Sequence, residues 1–230
     1  MIGIIVLIIR YRKQIQKSKH EDNICLTLAF LCMITEMAYF WRLVGVPSLH
    51  PNPTDHLPIT MCGWGIIFSG FLILTKRQTL FDITYFWLFS GTLFALLTPT
   101  VITTCGPTRF RYYQFWLEHT LGYIVIFYMM FVHQMRPQVK SIFKSLGALA
   151  VLAIVAIFAN HMLPGANYLF VAQPEDAPSF LDFLPKNYPL RIAIMGCIVT
   201  CLFCIAYLPW FMMDRKKKKL MTQTSNGKQE

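Results

Sequence analysis

The sequence is short of charge, and of acid most of all. Charged residues make up 14% of its 230 positions, against roughly 25% in soluble domains. Asp and Glu together number 11, against 21 Lys and Arg. This balance excludes an ordinary water-soluble core. Among the seven cysteines there is one CxxC, Cys201–Cys204, and it lies inside an apolar run, so neither a disulfide framework nor a metal-ligand spacing is visible, and no cofactor motif appears. No internal repeat is present, which weakens a transporter built on inverted repeats. The apolar residues 1–9 are followed by RYRKQIQKSKHED and by no small-residue cleavage site, which argues against a signal peptide. They read instead as the end of a first, short or truncated, transmembrane helix.

What the chain does have is apolar length. Hydrophobic residues make up 55% and aromatics 15% of it. Several runs reach the roughly 20 residues that span a bilayer. The sequence predicts an all-α polytopic membrane bundle of about seven transmembrane helices. After the first partial run, the spans fall at 24–44, 57–75, 80–98, 113–132, 142–163 and 190–213. Residues 1–213 form one helical domain, and 214–230 form a basic cytoplasmic tail with a polar end. The net charge of +10 does not point to nucleic acid, because the basic residues sit beside helix ends. Those at 10–19, at Lys76 and Arg77, at 136–144 and at 215–219 all fall on one side, as the positive-inside pattern requires. The N-terminus is therefore expected outside and the C-terminus in the cytoplasm. Short loops and the absence of glycosylation acceptors on the outer loops fit a bacterial cell membrane.

Single basic residues, Arg42, Lys186 and Arg191, stand at the outer ends of spans, but Arg109 and Arg111 break the charge rule together. They open the stretch PTRFRYYQFWLEH (107–119), which leads into an apolar helix holding Glu118 and His119. Ionisable groups in such a segment are costly and mark functional sites. Arg111, Gln114 and Glu118 fall on one helix stripe, and Tyr112, Phe115 and His119 on its neighbour. At 1.5 Å per residue, Cys62 lies about 7 Å and His119 roughly 10 Å below the outer surface. Asn160 and His161 close the outgoing helix at a similar level. Cys25, Cys32, Cys197, Cys201 and Cys204 lie inside apolar runs and read as small packing residues. His50, Asp55 and His56 invite a metal reading, but their spacing follows no ligand pattern.

A thiol and an imidazole at one depth form a nucleophile and base pair: the imidazole takes the thiol proton and the thiolate attacks an acyl carbonyl. At that depth the carbonyl is a phospholipid ester. Interfacial arginines suit its phosphate. Glu36 or Asn160 is available to orient the imidazole. The alternatives are a proton-linked transporter using Glu36, Glu118 and His119, and a non-catalytic scaffold in which these groups hold helices together.

The motifs LPITMC (57–62), YFWLFSGTLFALLTP (85–99), FRYYQFWLEH (110–119), GANYLF (165–170) and PSFLDFL (178–184) resemble the YwaF family of integral membrane proteins. That family is similar to the androgen-induced family of membrane threonine hydrolases and includes an acyltransferase making ether phospholipids. The resemblance implies a six- to seven-helix membrane fold, a nucleophile at Cys62 and a base at His119. Thr60 is a second candidate nucleophile by analogy with the threonine hydrolases. Together these readings lead to a membrane-embedded lipid acyltransferase or hydrolase, with Arg109, Arg111, Tyr112, Gln114, Asn160, Asn167 and Tyr168 binding substrate and membrane phospholipids as the partners.

Overall fold

The computed structural model describes residues 1–49, 52–99, 102, 105–173 and 183–226. His50, the side chain of Asp55 and most of the 178–184 motif lie outside the described residues. Among the described residues there is helix and no strand. The helices are α1 (Ile2–Gln16), α2 (Glu21–Gly45), α3 (Pro53–His56), α4 (Met61–Thr75), α5 (Gln78–Trp87), α6 (Leu93–Leu97), α7 (Phe110–Phe131), α8 (Val139–Met162) and α9 (Tyr188–Asn226). A π-helical turn, Leu88–Thr92, joins α5 to α6.

Four helices are long and apolar enough to cross a membrane: Glu21–Gly45, Gln78–Leu97, Val139–Met162 and Tyr188–Lys218. The protein is an integral membrane protein of all-α class. Helix α4 is apolar but only 15 residues long. Helix α7 has the length, at 22 residues, but Arg111, Gln114, Glu118 and His119 lower its hydropathy.

Helix α4 is the hub. It packs against α2, α5 and α7, while α8 packs on α5 and α1 on α7. The approach of α2 to α4 is set by two glycines one heptad apart. A Cβ on Gly70 would meet the Ala29 carbonyl and the Cys32 Cβ, both at 3.5 Å, and one on Gly63 would meet Glu36 Oε1 at 2.6 Å. Small residues are what allow helix backbones to close up in a membrane, where apolar burial gives no drive. Trp87, Tyr128, Phe81, Phe86 and Phe203 fill the interior. The outward faces of α8 and α9 stay apolar, with Phe143, Phe158, Ile205 and Met212 exposed, as a lipid-facing surface requires.

Three boundaries differ from the sequence reading. Helix α1 runs on through the basic residues to Gln16, because nothing between Arg10 and Gln16 breaks a helix. Helix α7 begins at Phe110, with Arg109 extended at its N-cap. Helix α9 is 39 residues long and continues past the basic run to Asn226, since lysine and arginine are good helix formers.

Candidate active site at the start of helix α4

Thr60 begins the site. Its extended backbone starts α4, and its hydroxyl accepts the Gly63 N–H at 3.1 Å, the usual way an N-cap satisfies a free donor. The cap places Cys62 in the first turn, half-buried. The Thr92 hydroxyl, from the π turn, donates to the Cys62 Sγ at 3.8 Å. Within the turn, the Ser90 hydroxyl bonds the Phe86 carbonyl at 2.7 Å and the Trp87 carbonyl at 3.3 Å. The Leu88 carbonyl is taken by the Tyr123 hydroxyl at 2.6 Å. Such π turns inside helices are frequent at functional sites.

On the other side of the thiol lies a buried polar cluster from α2 and α7. Glu36 is 5% exposed, Gln114 3% and Glu118 6%. Arg111 pairs with Glu118 at 3.3 Å and hydrogen-bonds the Gln114 carbonyl oxygen. Gln114 Nε2 donates to Glu118 at 3.0 Å and to the Thr35 carbonyl at 3.2 Å. The Arg111 guanidinium also stacks over Tyr39, 4.6 Å from the ring centre, and the Tyr39 hydroxyl meets His56 Nδ1 at 2.8 Å. A Cβ on Gly63, the residue after Cys62, would meet Glu36 Oε1 at 2.6 Å, so the cluster reaches the first turn of α4. The stripe read from sequence spacing is thus a connected network.

His119 is buried, with its ring tilted on Phe115 at 4.1 Å. Its Nδ1 lies 2.7 Å from the Phe115 carbonyl. A carbonyl only accepts, so Nδ1 is the donor and Nε2 is left as the acceptor of the neutral ring. The orienting group is therefore a backbone carbonyl, in place of the Glu36 or Asn160 expected from sequence. No hydrogen bond joins Cys62 to His119 in this resting arrangement; the thiol is on Thr92 and the imidazole on Phe115.

The remaining candidates build the frame. Asn160 clasps the Tyr168 backbone through both amide atoms, at 2.7 and 3.1 Å. The Tyr168 hydroxyl accepts the Leu57 N–H at 2.8 Å, tying the loop after α8 to the segment that leads into Thr60. Asn167 closes a turn onto Gln173 at 2.9 and 3.1 Å. The buried Arg191 holds the Phe170 carbonyl at 2.9 Å. Arg109 is exposed, Tyr112 is half-buried against Tyr113 and Trp116, and His161 is exposed at the end of α8. Sequence reasoning missed Thr92, Tyr39 and Tyr123. The Ser-Gly-Thr run at 90–92 was the signal for the first.

The profile of the TMEM164 family matches residues 1–207. An uncharacterised protein of Treponema pallidum (strain Nichols) is 29% identical over 119 residues, covering 52% of this chain and 48% of that protein; the match thus spans about half the length of that relative. No solved structure matches. These matches support the TMEM164 family and do not support the YwaF name.

Proposed function

The chain belongs to the TMEM164 family, and from the site just described we propose that it is a membrane-embedded acyl-transfer enzyme acting on phospholipids. Supporting this reading is one juxtaposition: a half-buried thiol at a helix N-terminus, a hydroxyl donor on its sulfur, and a buried carboxylate, Glu36, against the next residue of the helix. His119 is fixed in the tautomer a general base needs.

In the reaction, Cys62 leaves Thr92 and gives its proton to His119 Nε2. The thiolate attacks the ester carbonyl carbon and the carbon–oxygen bond to glycerol breaks. The imidazolium returns the proton to the departing oxygen, so a lysophospholipid leaves and an S-acyl Cys62 remains. An acceptor hydroxyl then attacks the thioester, His119 takes its proton, and the thiol is regenerated; water as acceptor gives hydrolysis instead. Arg109, exposed at the start of α7, meets the lipid phosphate. Arg111 adds the part of its guanidinium that is not engaged with Glu118. Tyr112 flanks the headgroup, while Gln114, Asn160, Asn167 and Tyr168 hold the frame in which the ester sits. The site opens to the outer leaflet of a bacterial cell membrane. The basic residues of α1, the α4–α5 turn and α9 support that orientation.

The test is turnover of defined phospholipid and lysophospholipid in vesicles carrying the full chain. Acyl exchange should disappear in Cys62→Ala and fall sharply in His119→Ala. Full turnover in Cys62→Ala overturns the reading. A second reading, proton-linked transport, is favoured by the two buried carboxylates, Glu36 and Glu118, since such groups line proton paths. It predicts flux that survives Cys62→Ala.

A further inference from the structure

A second cluster of reactive side chains stands at the opposite end of α4, where the basic residues gather. Glu21 opens α2, and Cys25 follows one turn later on the same face. Cys25 is 3% exposed. His133 arrives from the turn after α7, and Lys76 from the C-cap of α4. Four donors converge on one oxygen, Glu21 Oε1: the Cys25 thiol at 3.0 Å, His133 Nε2 at 2.9 Å, the Tyr128 hydroxyl at 3.2 Å and Lys76 Nζ at 3.3 Å. Lys76 also reaches the other oxygen, at 3.1 Å.

The backbone is bent to achieve this. Lys76 and Gln134 adopt left-handed φ values of 52° and 55°, unusual for residues with a side chain. They lie in the two turns that deliver Lys76 and His133. A helix-opening carboxylate needs only Lys76 as a partner. The thiol and imidazole are additional, and they come from two separate elements.

The sulfur, the nitrogen and the oxygen all lie within 4.8 Å of one another. In a tetrahedral zinc site, bonds of about 2.0–2.3 Å put ligand atoms roughly 3.3–3.7 Å apart. The three donors straddle that spacing, so side-chain rotation alone closes the site. One sulfur, one imidazole and one carboxylate are the mixed set that zinc favours over calcium or magnesium. We infer that Glu21, Cys25 and His133 form a zinc site, clamping the ends of α2, α4 and α7. On binding, the Cys25 proton leaves to solvent and His133 carries its proton on Nδ1. The Zn–S, Zn–N and Zn–O bonds replace the two hydrogen bonds to Glu21. The Tyr128 hydroxyl, 3.9 Å from the sulfur, stands beside the open fourth corner, which a water fills. The bound charges of thiolate and carboxylate balance the ion, and Lys76 remains on the outer carboxylate oxygen.

The test uses the full chain in lipid nanodiscs, titrated with Co²⁺ as a spectroscopic stand-in and then with Zn²⁺. The expected result is one Co²⁺ per chain with a thiolate-to-cobalt charge-transfer band that Zn²⁺ abolishes. The band should be absent in Cys25→Ala and unchanged in Cys201→Ala. His133→Gln should weaken binding by at least ~10-fold, the low end of what loss of even an outer partner costs. X-ray absorption of the zinc-loaded wild-type chain should show one sulfur among four ligands, which decides the matter even if Cys25→Ala fails to fold. No stoichiometric binding, a shell without sulfur, or a band that survives Cys25→Ala overturns the site.

Discussion

Helix α4 joins two polar clusters about 21 Å apart, counted from Cys62 to Lys76. At its start, Glu36 and Glu118 are 5% and 6% exposed, and Glu118 pairs with Arg111. At its end, the side chains of Glu21 and Lys76 are 13% and 37% exposed, against 7% and 31% for Glu118 and Arg111. Both contain a carboxylate, a cationic side chain and a cysteine, yet the first adds a second buried carboxylate, Glu36, while in the second the carboxylate is shared among a thiol, an imidazole and a phenol. A buried charge without its partner is expensive, whereas an exposed pair contributes little because water screens it. The first cluster is thus the one whose removal should be felt throughout the protein. The second can exchange partners, a proton for a metal ion, without threatening the fold.

The comparison can be broken or sharpened by substitution. The largest effect expected is on chemistry: Cys62→Ala should lower acyl exchange by at least ~10³-fold, as loss of a nucleophile does, while leaving the melting temperature nearly unchanged. Arg111→Ala should come next. It strands the buried Glu118 carboxylate at a cost of about 3 kcal/mol or more, which a thermal melt in nanodiscs should read as a fall of roughly 6–12 °C. Gly63→Ala pushes a methyl into Glu36 and Thr60 and should cost about 1–3 kcal/mol, with activity falling as Glu36 shifts. Thr60→Ala removes a helix cap worth about 1 kcal/mol; turnover should persist, and its abolition in a folded protein would make Thr60 the nucleophile. Lys76→Ala should be the mildest, at about 0.2–1 kcal/mol. A melt as depressed as that of Arg111→Ala would erase the contrast between the two ends.

The sequence carried the membrane class and the stripe of Arg111, Gln114 and Glu118, because hydropathy and helical spacing are local properties. It carried Cys62 and His119 as candidates for the same reason. It did not carry the π turn at Leu88–Thr92, from which Thr92 reaches Cys62. Nor did it carry the partner of His119, which is a backbone carbonyl and has no residue signature. Cys25 read as a packing residue because its neighbours in the chain are apolar. Its polar company, His133 and Tyr128, lies more than a hundred residues away. Juxtaposition across helices is the part that spacing within one helix cannot express.

The central claim is that Cys62 becomes acylated. The most direct measurement is the intact mass of the full chain after incubation with mixed phospholipids. The account predicts an adduct of one fatty-acyl mass that is removed by hydroxylamine, is absent in Cys62→Ala and is reduced in His119→Ala. An unmodified mass alongside measured acyl exchange, or an adduct retained in Cys62→Ala, would contradict it.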